Sequence, residues 1–151
     1  MPHLRTIVKH INELSKIEAS ILSSLTMGDH GSMQWRFREV RNEGRGWAVI
    51  HYSKDGKIDG WALVFEDIYF DHCRSEGNNA VYIYVDPASR RQGIATALMR
   101  HVRIVDPAPL VVPWDDTSLN FYKTQPSVKV NSWKYGYQGR LLQEGSDVVP
   151  V

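Results

Sequence analysis

The residues best suited to chemistry lie between Tyr82 and Leu98, where an apolar strand pattern, a basic turn and a helical pattern follow one another. The turn contains the run 90–93 (RRQG), and helical spacing begins at Gly93. The first backbone N–H groups of a helix have no partner within the helix, so a loop leading into one can bind an anion. Small residues at Gly93 and Ala95 leave room beside the backbone, and two arginines add positive charge. The pattern predicts a pyrophosphate site.

Two common phosphate-binding motifs are excluded at this turn. The P-loop ends in Gly-Lys-Ser/Thr and the dinucleotide fingerprint has three spaced glycines, and neither pattern surrounds Gly93. The alternative interpretation is a solvated turn that only caps a helix. Its position, between an apolar strand that ends in Asp86-Pro87 and an apolar helix, favours the binding site.

The run from Arg90 to Ala95 resembles the Arg/Gln-x-x-Gly-x-Gly/Ala signature of the GNAT superfamily of N-acetyltransferases. The preceding run from Ile83 to Pro87 resembles the fourth strand of that family. The resemblance implies that the loop binds the pyrophosphate of acetyl-CoA or coenzyme A, and that the strand backbone holds the pantetheine arm and the thioester. The cofactor-binding residues expected from it are Ile83, Tyr84, Val85, Arg90, Arg91, Gln92, Gly93, Ile94, Ala95 and Thr96.

A second segment resembles the same family. Asp115-x-x-Ser118-x-x-Phe121-Tyr122 is similar to the family helix Asn-x-x-Ala-x-x-Phe/Leu-Tyr. The resemblance implies that Asp115, Ser118 and Tyr122 contact the cofactor. It also implies that Tyr122 is catalytic and protonates the departing thiolate, a general-acid role worth about 10²- to 10⁴-fold in rate. The run 124–126 (TQP) departs from the Gly-Phe that usually follows this helix.

The sequence offers several candidates for the residue that accepts a proton from the substrate amine. Glu66, at the end of a predicted strand, is the candidate catalytic base, and the alternatives are Asp67, His72, Tyr82 and Tyr84. Some family members carry a glutamate on the fifth strand, but Leu110-Val111-Val112 contains none. An amine can also react through its neutral fraction, without a dedicated base.

The composition is that of an ordinary globular protein, with 42% hydrophobic and 23% charged residues. The 151 residues suit one domain over 1–151, with 142–151 as a loose tail. A net charge of +1 makes a nucleic-acid partner a weak expectation. The six histidines show no metal-binding spacing, so no metal site is expected.

The single cysteine, Cys73, cannot form a disulfide within the chain, and this favours the cytoplasm. Charged residues from Arg5 to Lys16 exclude the apolar core of a signal peptide. No run approaches the about 18 apolar residues of a membrane span. We therefore expect a cytoplasmic protein without membrane contact, and a homodimer is plausible.

The elements that position these residues follow from the hydrophobic spacing. Apolar residues at three- and four-residue steps predict one amphipathic helix over residues 3–25, whereas residues 33–41 fit a helix or a strand. The Asp55-Gly56 turn predicts a hairpin. Further predictions are strands at 47–52, 58–66, 80–85 and 110–112, a loop at 67–79, helices at 93–105 and from 115 to before Pro126, and one or two strands within 128–142.

This order of elements predicts a mixed α/β (α+β) domain, with a central mixed, twisted sheet flanked by helices, and the resemblance specifies a GNAT-like acyl-CoA N-acyltransferase fold. The expected function is acetyl-CoA-dependent N-acetyltransfer, directly to a primary amine of a small molecule, a protein or a peptide. The alternative is a catalytically weak or inactive protein of the same fold that acts by binding another macromolecule. Residues 26–46 and 66–79 are expected to shape the acceptor site, but their sequence does not identify the acceptor.

Overall fold

The computed structural model describes residues 5–25, 31–65, 79–107, 109–111, 120–125, 128–130 and 148–149. Three helices with defined bounds and seven strands lie in these ranges, together with short 3-10 turns at Ile11–Glu13 and Pro87–Ser89. Residues 120–122 are also helical. In chain order the elements are β1 (Arg5–His10), α1 (Lys16–Leu25), α2 (Gly31–Glu43), β2 (Trp47–Tyr52), β3 (Ile58–Phe65), β4 (Ala80–Val85), α3 (Ile94–Val105), β5 (Leu110–Val111), β6 (Val128–Val130) and β7 (Val148–Val149).

The seven strands form one sheet in the order β1 to β7. Strands β1 to β4 are antiparallel neighbours, β5 runs parallel to both β4 and β6, and β7 is antiparallel to β6. The parallel step from β4 to β5 passes through α3, as such connections generally require. The predicted mixed sheet with flanking helices is confirmed. Strand β7 lies within the segment 142–151 that was expected to be a loose tail.

Apolar side chains fill both faces of the sheet, because successive residues of a strand point to opposite sides. Helices α1 and α2 cover one face, where the buried side chains include Leu22, Phe37, Ile50, Trp61, Leu63, Phe65 and Tyr82. Helix α3 covers the other face, where they include Val49, Ala62, Val64, Val81, Leu98, Met99 and Val102. The strand-turn-helix segment from β4 to α3 is thus anchored in the core at both ends.

The N-terminal segment is not the single helix predicted over residues 3–25. It forms β1, a short 3-10 turn and then α1, and β1 pairs with β2 along its whole length. A capping box starts α1: Ser15 Oγ accepts the Glu18 N–H at 3.0 Å, and the Glu18 carboxylate accepts the Ser15 N–H at 2.9 Å. The same carboxylate binds Lys9 Nζ at 2.7 Å, and this hydrogen bond lowers the pKa of Glu18. The prediction was wrong because it followed apolar spacing and overlooked the capping sequence Ser15-x-x-Glu18.

Gly60 lies where β3 passes directly under α3. A Cβ atom on Gly60 would come within 2.9 Å of Ile94 Cγ2 and 3.3 Å of the Tyr84 carbonyl oxygen. We expect Gly60→Val to lower the free energy of unfolding by about 1–3 kcal/mol, because overpacking forces α3 away from the sheet. Urea unfolding followed by circular dichroism measures this change. An unchanged midpoint would contradict the close packing of α3 on β3.

Candidate functional site

Strand β4 is paired along its full length on one side and only at its beginning on the other. Its pairing with β3 runs from Ala80 to Val85, whereas β5 pairs only with Ala80 and Val81. Among the residues that the structure describes, no strand lies beside the second edge of β4 from Tyr82 to Val85. We call this stretch the open edge.

The hydrogen bonds between β3 and β4 determine which backbone groups face the open edge. Asp86 donates its N–H to the carbonyl oxygen of Asp59 at 2.8 Å and continues the register of the two strands. Hydrogen-bonded and non-hydrogen-bonded residue pairs alternate in an antiparallel ladder, so the backbone of Tyr84 bonds to β3. The N–H and C=O groups of Ile83 and Val85 therefore point to the open edge.

Arg90 is attached to the end of the open edge. Its Nε donates a hydrogen bond to the carbonyl oxygen of Val85 at 2.8 Å. Its guanidinium carbon lies 5.7 Å from the centroid of the Tyr84 ring. The Arg90 side chain thus links the basic turn to the strand, a contact that the sequence did not predict.

The chain enters α3 through two residues with left-handed backbone conformations, Arg91 at φ 65° and Gly93 at φ 81°. Such turns direct successive N–H groups into one concavity that suits an anion. Gly93 is the N-cap of α3 and no side chain caps this end. A Cβ atom on Gly93 would meet nothing within 4 Å, so open space adjoins the turn. The N–H groups of Ile94, Ala95 and Thr96 form the first turn of the helix beside it.

The side chains of this turn divide into exposed and anchoring ones. Arg90, Arg91, Gln92 and Thr96 are exposed, whereas Ile94 is buried against the sheet. The exposed side chains add positive charge and hydrogen-bond donors to the concavity. Ile94 offers only its backbone there, and its side chain holds the helix start in the core. We call the segment from Arg90 to Thr96 the anion cradle.

Tyr122 is buried on the α3 face of the sheet, with 2% of its surface exposed. It belongs to the apolar cluster that also contains Val81 of β4, Val111 of β5 and Ile94 of α3. The phenol therefore lies on the side of the sheet from which α3 starts, near the strands that diverge at the open edge.

Several predicted site residues lie outside the described residues, namely Glu66, Asp67, His72, Asp115 and Ser118. The other two candidates for the proton acceptor, Tyr82 and Tyr84, point to the face that α1 and α2 cover and are 1% and 7% exposed. In the described part of the structure, the apolar cluster that contains Tyr122 also contains Ile94 of the anion cradle, and Ile83 and Val85 of the open edge pack against it.

A buried ionisable pair lies on β2 and β3, near the end of β4, and the sequence analysis missed it. His51 Nδ1 lies 2.7 Å from Asp59 Oδ1, and the side chains are 3% and 10% exposed. Tyr52 pairs with Ile58 and His51 with Gly60, so Asp59 is an extra residue in β3. The Asp59 carboxylate hydrogen-bonds His51, and the Asp59 carbonyl accepts the N–H of Asp86, the residue that follows β4. Two polar residues inside apolar strands were the only sequence signal for the pair.

Neither metal ligands nor a membrane span emerge from the described residues. No group of three or more His, Cys, Asp or Glu side chains there is placed to hold a metal ion. None of the described helices has the length and apolar character needed to cross a bilayer.

A protein-family model matches the central part of the chain. The model, described as an acetyltransferase (GNAT) domain, matches residues 45–125, more than half of the 151 residues. This range includes β2 to β5, the open edge, the anion cradle and Tyr122. A search of curated proteins found no match.

Solved structures share the fold at low sequence identity. A ribosomal-protein-alanine N-acetyltransferase from Brucella melitensis is 16% identical, with a TM-score of 0.55 over 81% of this chain and 90% of that chain. AAC(6')-Iy, solved with the bisubstrate analogue CoA-S-monomethyl-acetylneamine, is 16% identical, with a TM-score of 0.53 over 82% of this chain and 86% of that chain. A GNAT family N-acetyltransferase from Escherichia coli, solved in complex with CoA, is 16% identical, with a TM-score of 0.52 over 70% of this chain and 58% of that chain. Each likeness shows the fold alone.

Proposed function

Because this chain belongs to the GNAT acetyltransferase family, we propose that it is an acetyl-CoA-dependent N-acetyltransferase that acts on a primary amine. The observation that carries the proposal is the open edge of β4, which leads directly into the anion cradle. One ligand with a phosphate end and an amide-containing arm fits this combination. Coenzyme A has that chemistry.

The anion cradle suits the pyrophosphate of coenzyme A. The uncapped N-terminus of α3 supplies backbone donors, and Gly93 leaves open space beside them. Arg90 and Arg91 supply two positive charges. A helix N-terminus and cations both favour a bound anion, so the two contributions act in the same direction.

The open edge suits the pantetheine arm. This arm contains amide groups, which can extend a sheet edge by main-chain hydrogen bonding as a peptide strand does. Ile83 presents its backbone N–H and C=O for it and Val85 presents its N–H, because the Val85 carbonyl accepts the hydrogen bond from Arg90. We assign to the Val85 N–H the stabilisation of negative charge on the thioester oxygen, because a fixed backbone donor needs little reorganisation during reaction.

Acetyl-CoA would supply an activated acyl group: the amine nitrogen bonds to the carbonyl carbon, the carbon–sulfur bond breaks, and one proton is lost from nitrogen while sulfur gains one. Tyr122 would donate that proton to sulfur, because a neutral phenol is a general acid. Glu66 is the proposed base. The lone Cys73 is not needed, since transfer is direct.

Arg90 offers a test of the link between the two parts of the site. Arg90→Lys keeps the charge but removes the Nε–H that bonds the Val85 carbonyl. We expect acetyl-CoA to bind about 10-fold more weakly, the equivalent of one hydrogen bond to a charged group. Isothermal titration measures the affinity, and Arg100→Lys, at an exposed position on α3, is the control. Equal affinities in all three proteins would contradict a positioning role for Arg90.

The proposed activity is tested by following coenzyme A release from acetyl-CoA in the presence of primary amines. The panel contains amino acids, polyamines, aminoglycosides and short peptides, and mass spectrometry checks each amine for the addition of one acetyl group. We expect release that depends on the amine and matches the product formed. Saturable acetyl-CoA binding without transfer to any amine would favour a binding protein and overturn the proposed activity.

The proposed acceptor is a primary amine of a small molecule, a protein or a peptide. The names of two structural neighbours refer to a ribosomal protein and to an acetylated neamine. The shared fold accommodates both kinds of amine, and identities of 16% do not choose between them. The cytoplasmic location, the single domain and the homodimer remain predictions.

A further inference from the structure

The bulged residue Asp59 makes hydrogen bonds in two directions, one through its side chain and one through its backbone. Its carboxylate lies 2.7 Å from Nδ1 of His51 on β2, and its carbonyl oxygen accepts the N–H of Asp86 at 2.8 Å. An ionised carboxylate only accepts hydrogen bonds, so His51 Nδ1 carries the proton of the first bond. Asp59 therefore joins β2 to the residue at which the chain leaves β4.

The pair lies on the sheet face that the start of α3 covers. His51 is in register with Gly60, and a Cβ atom on Gly60 would come within 2.9 Å of Ile94 Cγ2. The side chains of His51 and Asp59 are 3% and 10% exposed. Buried polar groups cost free energy unless they are hydrogen-bonded, so each of these side chains depends on the other. Their hydrogen bond therefore fixes the conformation of the bulge, a feature that often redirects a strand beside an active site.

The Asp59 carbonyl binds the peptide group that joins the open edge to the basic turn. This planar group consists of the Val85 carbonyl and the Asp86 N–H. Asp59 binds its N–H at 2.8 Å, and Arg90 Nε binds its carbonyl at 2.8 Å. The Asp86 carbonyl then accepts the Ser89 N–H at 2.8 Å, at the start of the turn that leads to Arg90. Asp59 and Arg90 therefore fix the orientation of this peptide group from its two sides.

We propose that His51 and Asp59 are positioning residues for the coenzyme A site: their hydrogen bond holds the bulge, and the bulge sets the path of the backbone from Val85 into the anion cradle. The proposal rests on the proposed N-acetyltransferase function. Both side chains act through the backbone of β4 and not by contact with the cofactor. A small displacement of a fixed backbone donor is costly, because the donor must meet the position where charge develops. Breaking the pair should therefore weaken cofactor binding and slow turnover.

Two substitutions of Asp59 test whether the hydrogen bond carries the effect. Asp59→Ala removes the acceptor, whereas Asp59→Asn keeps an oxygen that can accept the His51 Nδ1–H. We expect Asp59→Ala to bind acetyl-CoA about 5-fold more weakly and to lower kcat about 10-fold, and Asp59→Asn to stay within about twofold of wild type. Isothermal titration and steady-state kinetics measure these values. Wild-type affinity and kcat in Asp59→Ala, or equal losses in both variants, would overturn the proposal.

His51→Gln breaks the same hydrogen bond from β2 and tests the proposal independently of how well Asp59→Ala folds. A glutamine places its side-chain N–H near the position of the histidine Nε2 and leaves no donor at the position of Nδ1. We expect the same direction of change as in Asp59→Ala, with acetyl-CoA bound about 5-fold more weakly. Wild-type affinity in a folded His51→Gln protein would overturn the proposal.

Glu18→Ala is the control for a general loss of stability. The Lys9–Glu18 pair is also 2.7 Å long, with side chains 31% and 18% exposed, and it joins β1 to α1. Its loss should lower the urea midpoint and leave the affinity for acetyl-CoA within about twofold of wild type. A loss of affinity equal to that of Asp59→Ala would indicate a general effect on the fold and overturn the positioning role.

Amide hydrogen exchange of the unliganded proteins tests the backbone link and separates this inference from the proposed function. The Asp86 amide should exchange at least about 10-fold faster in Asp59→Ala than in wild type, while the Leu63 amide in the middle of β3 should change less. Unchanged exchange at Asp86, or equal acceleration at both amides, would overturn the inference. Failure of wild type to bind acetyl-CoA would overturn the proposed function, whereas wild-type binding that Asp59→Ala retains in full would overturn the positioning role alone.

Discussion

A Gly93→Glu variant is expected to lose measurable acetyl-CoA binding, with an affinity at least about 100-fold below that of wild type. The new carboxylate would enter the open space beside the turn, where the pyrophosphate is proposed to lie. Like charges placed together at a binding site cost several kcal/mol. Isothermal titration with acetyl-CoA measures the loss.

Gly56→Glu is the matched control for that experiment. Gly56 has φ +84°, close to the +81° of Gly93, and a Cβ atom there also meets nothing within 4 Å. The two variants therefore introduce the same charge and similar backbone strain, one at the anion cradle and one at the β2–β3 turn. Wild-type affinity in Gly93→Glu would contradict the cradle, whereas equal losses in both variants would indicate a general effect on the fold.

Tyr122→Phe is expected to lower kcat about 100-fold while the dissociation constant of acetyl-CoA changes little. The substitution removes one hydroxyl and preserves the buried ring, which belongs to the cluster with Ile94, Val81 and Val111. A proton donor acts on the departing sulfur and not on the bound ground state. Steady-state kinetics and isothermal titration on the same preparation separate the two effects.

Tyr52→Phe is the control for Tyr122→Phe, because it also removes a single tyrosine hydroxyl. The Tyr52 hydroxyl lies 3.4 Å from Glu18 Oε2, on the part of the sheet that packs against α1. Removal of this hydroxyl should leave kcat within about twofold. Circular dichroism checks that both variants fold, since Tyr122 is buried. A kcat for Tyr122→Phe equal to that of wild type would remove the general-acid assignment.

The central part of the fold was predictable because local signals agree there. An apolar strand, Asp86-Pro87, the basic turn and an amphipathic helix follow one another in the sequence, and the structure contains them as β4, the anion cradle and α3. The hairpin of β2 and β3 was also predictable, since Asp55-Gly56 marks its turn. Each of these elements is specified by neighbouring residues.

Pairing between distant segments was less accessible from the sequence. Strand β1 was assigned to a helix, because Ile7, Val8 and Ile11 fit a helical stripe and their pairing with β2 is a long-range interaction. Residues 33–41, which belong to α2, were ambiguous because their apolar spacing fits either a helix or a strand. His51 and Asp59 lie on the predicted hairpin, but the sequence did not indicate the bulge at Asp59 that accompanies their contact.

The family resemblance predicts the kind of site, whereas the geometry of β4 follows only from its pairing with β3. The resemblance named Ile83, Tyr84 and Val85 together, but the hydrogen-bond alternation of β4 separates them: Ile83 and Val85 face the open edge and Tyr84 bonds to β3. The hydrogen bond from Arg90 to the Val85 carbonyl could not be predicted from the sequence either, because an arginine side chain has five donors and many potential partners.

The most direct test of the account is amide hydrogen exchange of the wild-type protein, followed by NMR with and without saturating acetyl-CoA. If the arm lies along the open edge, the amides of Ile83 and Val85 should exchange at least about 10-fold more slowly in the complex, because each gains a hydrogen bond. The amide of Tyr84, already bonded to β3, should change less. Unaltered exchange at Ile83 and Val85 under saturating acetyl-CoA would contradict the proposed binding mode, and with it the assignment of β4 as the acyl-transfer site.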